Sequence, residues 1–149
     1  MRPRYDFEQS LGYWVVPAAH AIERALNEEL IPLGVTVRQW QVIACLILEK
    51  GMCQAELARR LRIEAPTLKG ILDRMERDGW IERRPCPTDR RRNVVQLMPA
   101  VVPVWKRMAA CARRVRRRAL RGLSPGQFEE LKEALGTVRR NLEEKETRR

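Results

Sequence analysis

The chain has 149 residues, of which 44% are hydrophobic and 33% charged, and its formal net charge is +11. That length suits one domain with a modest core, and a pI near 10.5 argues for an anionic partner rather than for any fold. The longest apolar run, Val42–Leu48, is too short to cross a bilayer, so no transmembrane helix and no membrane partner are expected.

Among anionic partners, nucleic acid leads and an anionic membrane surface is second. The opening MRPRYDFEQ carries charges but no h-region, so no secretory signal is expected and the chain is expected in the cytoplasm. Four scattered cysteines, Cys45, Cys53, Cys86 and Cys111, make no C-x-x-C pair. In that compartment they are expected as free thiols.

In chain order, Leu11, Trp14, Val15, Ala18, Ile22, Ala25 and Leu26 keep helical spacing within residues 7–31. Pro17 interrupts this pattern and predicts a kink or a late helix start. Thr36-Val37-Arg38-Gln39 is a capping-box pattern opening a second helix. Its stripe is Trp40, Ile43, Ala44 and Ile47, but Val42, Cys45 and Leu46 make it apolar nearly all round, as for a central helix. Gly51 is expected to end it.

Residues Gln54–Leu61 and Ala65–Asp78 read as two short helices joined by a turn. In the second of these, Leu68, Ile71, Leu72 and Met75 form one apolar stripe. Pro66, Gly70, Asp73, Arg74 and Arg77 lie opposite, with Thr67 and Lys69 flanking. One side can bury while the other offers small and basic groups, as the second helix of a helix-turn-helix does in the major groove. Pro66 and Thr67 suit a thymine methyl, and Lys69 suits guanine acceptors or phosphate. Glu64 is the expected N-cap and Gly79 the C′ residue.

Trp80–Arg84 and Asn93–Leu97 read as the strands of a hairpin, with Pro85, Pro87 and Asp89 in the turn. Its Arg83, Arg84, Arg90, Arg91 and Arg92 are candidates for phosphates or a minor groove. A fifth helix is expected over 99–121, with Val101, Val104, Trp105, Met108, Cys111, Ala112 and Val115 on one face. Its Arg113, Arg114, Arg116, Arg117, Arg118 and Arg121 read first as a solvated face. The alternatives are phosphate attraction or an intersubunit network with Glu129, Glu130 and Glu133. Ser124-Pro125-Gly126-Gln127 opens a sixth helix, in which Phe128, Leu131, Leu135, Val138 and Leu142 make a packing seam. The tail 143–149 is charged and expected to fray.

The pieces Gln54-Ala55-Glu56-Leu57-Ala58, Ile63-Glu64-Ala65-Pro66-Thr67-Leu68, Leu72-Asp73-Arg74-Met75-Glu76, Gly79-Trp80-Ile81 and Asp89-Arg90-Arg91, with Leu33, Thr36, Gln39 and Trp40 upstream, stand in a specific order. In that order the chain resembles the MarR family of transcription regulators, most nearly its SlyA-like branch, over roughly residues 8–145. The resemblance implies a mainly α fold: a single domain over 1–149 with a winged helix-turn-helix lobe at about 36–98. Dimerisation helices would lie at about 7–31 and 99–146. It implies a homodimer acting on double-stranded DNA at a near-palindromic operator, most simply as a repressor. The implied DNA-binding residues are Ala65, Pro66, Thr67, Lys69, Gly70 and Arg74 on the recognition helix and Arg90, Arg91 and Arg92 on the wing, where an Asp89–Arg91 ion pair would brace the tip. SlyA-like proteins carry a longer polar or basic side chain where this chain has Gly70.

The resemblance also implies a small aromatic or phenolic effector held between the dimerisation helices and the DNA-binding lobe. Trp14, His20 and Trp40 would line that site, and Arg24 or Arg38 would pair a carboxylate. Both tryptophans serve equally well as core. Peroxide-sensing relatives use a cysteine in the first helix, but none lies in residues 1–44. Cys86, beside Arg83 and Arg84, is the one redox candidate. His20 is the only histidine, so neither a metal site nor any cofactor is expected. No nucleophile elbow or phosphate-binding glycine loop points to an enzyme. The rival functions are a non-specific basic nucleic-acid or architectural binder and a thiol-based redox-sensing regulator.

Overall fold

Helix α1 (Leu11–Leu30) follows a short 3-10 turn at Phe7–Gln9, and α2 (Val37–Glu49), α3 (Gln54–Leu61) and α4 (Ala65–Arg77) come next. The computed structural model describes residues 5–143, which divide after Val115 into two compact units. The charged tail beyond residue 143 and the expected end of the last helix at 146 lie outside the described residues.

The first unit adds strands β1 (Met52–Cys53), β2 (Ile81–Pro85) and β3 (Asn93–Leu97) and most of α5 (Val101–Ala119). The strands form one antiparallel sheet in the order β1-β3-β2. The hairpin register runs from Ile81↔Leu97 to Pro85↔Asn93. A two-stranded wing was expected, but β1 adds Met52↔Val95 and Cys53↔Val94 on the other edge of β3. A strand this short carries no readable period. It forms because the chain leaving α2 through Lys50 (φ 54°) and Gly51 (φ 109°) runs alongside β3. Gly51 is needed there: a Cβ would lie 3.3 Å from Gln96 Cγ and 3.5 Å from the Val95 carbonyl oxygen.

The core gathers Leu30, Val42, Ile43, Leu46, Leu57, Leu68, Leu72, Met75, Val95 and Met108, all essentially without solvent contact. One expectation about its walls is narrowed and one is corrected. Helix α1 begins at Leu11 with Pro17 inside it, so of the two outcomes expected at Pro17 the late start is excluded. The face of α2 that buries is Gln39–Val42–Ile43–Leu46, not Trp40–Ile43–Ala44–Ile47; Trp40 is half-buried and Ile47 and Leu48 are exposed. An all-round apolar helix leaves periodicity unable to choose a face. Gln39 tolerates 8% exposure because its carboxamide oxygen accepts the Thr36 backbone N–H at 3.0 Å, while its own N–H donates to Thr36 Oγ1 at 3.1 Å. On α5 the expected face is correct, with Val101, Met108, Cys111 and Val115 buried. No single described helix is long and apolar enough to cross a membrane.

The second unit comprises the end of α5, a turn and α6 (Pro125–Glu143). Ser124 and Gln127 close a second reciprocal cap, at 2.8 and 3.1 Å. Helix α6 has no buried residue, and Leu131, Leu135 and Leu142 of its seam are exposed.

The α2 cap supplies the first prediction. Thr36→Ala should lower unfolding free energy by about 1 kcal/mol, as loss of an N-cap does, seen as a lower urea midpoint at unchanged slope. An unmoved midpoint would mean that Gln39 keeps its place through packing alone.

Candidate nucleic-acid interface

Helix α4 starts where Glu64 takes extended backbone (φ −60°, ψ 140°) without a side-chain cap, and Pro66 occupies its first turn at little cost. Leu68, Ile71, Leu72 and Met75 bury, as expected. That leaves Ala65, Pro66, Thr67, Lys69, Gly70, Arg74 and Arg77 exposed. A Cβ at Gly70 would meet no other atom, so the middle of this face is bare backbone. The Gly70 carbonyl accepts a long 3.4 Å bond from Arg74 Nε. All six expected recognition-helix residues therefore lie exposed on one element.

The wing tip is set by backbone bonds. Cys86 N–H donates to the Arg92 carbonyl at 2.7 Å, and Arg92 N–H to the Asp89 carbonyl at 3.0 Å. The expected Asp89–Arg91 ion pair is absent among the described residues. Instead Asp89 Oδ1 accepts the backbone N–H of Arg91 at 3.0 Å, a local turn bond that short acidic side chains favour. The Asp89 carboxylate thus shapes the tip while the Arg91 guanidinium stays uncommitted. Arg90, Arg91 and Arg92 are all exposed and make no ion pair among the described residues.

Arg83 departs from its expected role. Its side chain is 18% exposed, and its Nη2 lies 2.7 Å from Asp73 Oδ1 and 2.6 Å from Glu76 Oε2. Its backbone N–H donates to Glu76 Oε1 at 3.0 Å. It is a strut from β2 to α4, not a phosphate ligand. Sequence reasoning missed this. The available signal was two carboxylates, Asp73 and Glu76, three apart on a helix and a cation in the strand that follows. Hydrogen bonds from Arg83 hold Glu76 below the ordinary carboxyl value against partial burial. Lys69 first and Arg83 second do the same for Asp73.

Cys86 is half-buried at the tip. Its thiol lies 3.2 Å from Thr88 Oγ1. Its pKa is lowered, first by that hydroxyl, then by the backbone N–H groups of Thr88 and Asp89, and last by Arg92. Arg83 and Arg84, named from the sequence as the cause, are not among these. Burial raises the Cys45 thiol, and Cys111 donates to the Glu29 carbonyl at 3.3 Å.

The five residues expected around an effector divide. His20, Arg24 and Arg38 line one cleft of about 480 Å³ with Glu23 and Asn27, between α1 and the start of α2. Trp14 is elsewhere, 61% exposed, its indole N–H donating to the Glu8 carbonyl at 2.8 Å. Trp40 packs against the core, its indole nitrogen buried without a partner among the described residues. The cleft therefore has charged walls, and neither tryptophan reaches it. In the arginine run, Arg114 bonds Glu29 at 2.7 Å, while Arg113, Arg116, Arg117, Arg118 and Arg121 are exposed. Glu129 pairs with Lys132. No group of three or more His, Cys, Asp or Glu side chains among the described residues is placed to hold a metal ion.

Residues 33–92 match the MarR family model. YwoH, an uncharacterised HTH-type transcriptional regulator of Bacillus subtilis, is 37% identical over 78 residues, 52% of this chain and 57% of that protein. The match thus spans little more than half of that relative. The transcriptional regulator PA4135 superposes with a TM-score of 0.79 at 27% identity, over 93% of this chain and 98% of that one. A cysteine-to-serine variant of E. coli MarR complexed with operator DNA superposes with a TM-score of 0.78 at 24% identity, over 92% and 99% respectively.

The carboxylates around Arg83 set an acid limit. Their folded pKa values lie below the unfolded ones, so this stabilisation is complete above about pH 4.5 and is lost as pH falls through the folded values. Glu76→Gln should lower the thermal midpoint at neutral pH, with the gap to the parent protein narrowing in acid. A gap independent of pH would assign Glu76 a packing role only.

Proposed function

From the match of residues 33–92 to the MarR family model and the helix-turn-helix and β2–β3 wing of this fold, we propose that the chain is a sequence-specific DNA-binding transcriptional regulator that occupies a promoter as a repressor. The single observation that carries this is the pairing of an exposed, bare-centred α4 face with a wing tip whose three arginines are uncommitted. Ala65, Pro66, Thr67, Lys69, Gly70 and Arg74 meet base edges and phosphates in the major groove. Arg90, Arg91 and Arg92 reach the neighbouring backbone or minor groove. The motifs Ile63–Leu68 and Asp89–Arg91 support the SlyA-like branch of the family for it. The solved and curated relatives are regulators, which supports a binding protein over an enzyme.

The working unit is a homodimer, with the lobe at about 36–98 flanked by dimerisation helices. Leu11, Tyr13, Trp14, Val16 and Ile22 of α1 and Leu131, Leu135 and Leu142 of α6 are exposed, more apolar surface than a chain leaves bare without a partner. A two-fold pair sets two α4 helices one DNA turn apart, so the operator is near-palindromic. A small aromatic or phenolic acid, its carboxylate paired by Arg24 or Arg38 beside His20, releases the DNA by shifting the population of lobe spacings.

Arg91→Ala should weaken operator binding by about 1–3 kcal/mol at fixed salt; an unchanged affinity would remove Arg91 from the interface. The function itself is tested with a palindromic duplex from the chain's own upstream region against a scrambled one. A preference of about 10³ or more, with affinity falling steeply as salt rises, is expected. Equal affinity for both would leave a non-specific basic binder. A second reading attaches to Cys86, whose thiol is lowered at the DNA-facing tip: oxidation there would weaken DNA binding. Oxidant should then release the parent protein from DNA but not Cys86→Ser, and an identical response in both would end that reading.

A further inference from the structure

A chain of charges runs along one flank of α4. Lys69, Asp73 and Glu76 stand at i, i+4 and i+7, the spacing that stacks side chains on a helix. Lys69 Nζ lies 2.8 Å from Asp73 Oδ2, and the other oxygen of that carboxylate lies 2.7 Å from Arg83 Nη2. Arg83 is itself clamped by Glu76 through Nη2, Nε and its backbone N–H, at 2.6, 3.1 and 3.0 Å. Exposure falls along the series, from 65% at Lys69 through 42% at Asp73 to 18% at Arg83. Lys69, an exposed cation of α4, is thus tied through one carboxylate to a cation clamped between helix and wing.

An exposed lysine–aspartate pair adds little to stability. Its consequence lies in orientation. Lysine is a point charge on a flexible stem, equally suited to a phosphate or a base edge. We propose that Asp73 is a positioning residue for base readout, holding the Lys69 ammonium on the flank of α4 so that it meets guanine acceptors rather than the nearest phosphate. This rests on the DNA-binding reading above. The carboxylate takes one of three ammonium N–H groups and leaves two for guanine O6 and N7. The negative charge of Asp73 also repels the DNA backbone whatever the sequence, so it lowers affinity for unrelated DNA.

The test starts by selecting a preferred site from a randomised duplex pool with the full chain. Affinities for that site and for each single-base replacement are then measured with the parent protein, Lys69→Met, Asp73→Asn and the double variant. Lys69→Met should lose a guanine preference of roughly tenfold at one position in each half-site. Asp73→Asn should lose the same preference at the same position and keep the others. It should also bind unrelated duplex more tightly, with a salt slope steeper by about one phosphate contact per lobe. The double variant should match Lys69→Met in base preference while binding unrelated duplex more tightly than Lys69→Met does. A retained guanine preference in Asp73→Asn, or a uniform weakening at every position, would overturn the inference and leave Asp73 as a brace for Arg83. Asp73→Ser substitutes if Asp73→Asn does not fold. A parent protein that selects no site would overturn the DNA-binding reading and this inference with it.

Discussion

Four side chains on one face of α4 decide where every group on the opposite face points. Leu68, Leu72 and Met75 have no solvent contact and Ile71 almost none. Burying each is worth roughly 1.5–3 kcal/mol, far more than any exposed ion pair around them. A helix has one rotation about its axis, so anchoring this row leaves Pro66, Thr67, Gly70 and Arg74 outward with no freedom to turn away. Gly70 weakens the helix by about 1 kcal/mol relative to alanine, a cost the buried row easily offsets.

The wing is held to that helix by different physics. Strand β2 buries Ile81, and Arg83 crosses to Glu76 and Asp73 with short bonds. A guanidinium can bridge two carboxylates because its donors fan out in a plane. The tip beyond is shaped by backbone bonds, the Asp89 turn and the Cys86–Thr88 contact. The lobe therefore grades from a rigid apolar base, through a charged strut, to a tip of uncommitted arginines.

Net charge alone would not have located the interface. Of thirty basic side chains against nineteen acidic ones, Arg60, Arg83 and Arg114 are neutralised by partners at 2.6–2.7 Å. Exposed cations without an ion pair among the described residues remain both at the wing tip and in the run Arg113, Arg116, Arg117, Arg118 and Arg121. Arg90, Arg91 and Arg92 stand at the tip, while Asp73 and Glu76 balance the flank of α4. On α4 each carboxylate subtracts from the pull that its neighbouring cations exert on an anion.

Periodicity and capping chemistry determined much of this protein. The burial of Leu68, Ile71, Leu72 and Met75, the Thr36–Gln39 and Ser124–Gln127 boxes, the β2–β3 hairpin and the exposed recognition face all follow from local spacing, because a helix or hairpin expresses its pattern within a few residues. Tertiary structure alone decided which face of the all-apolar α2 turns inward, that Met52–Cys53 joins the sheet, and that Trp14 and Trp40 part company with His20, Arg24 and Arg38. It also turned Arg83 from a candidate phosphate ligand into a strut and the Asp89–Arg91 pair into a turn bond. Each of these depends on which charge or backbone group lies nearest in space, and a cation reads the same in sequence whether a carboxylate waits beside it or not.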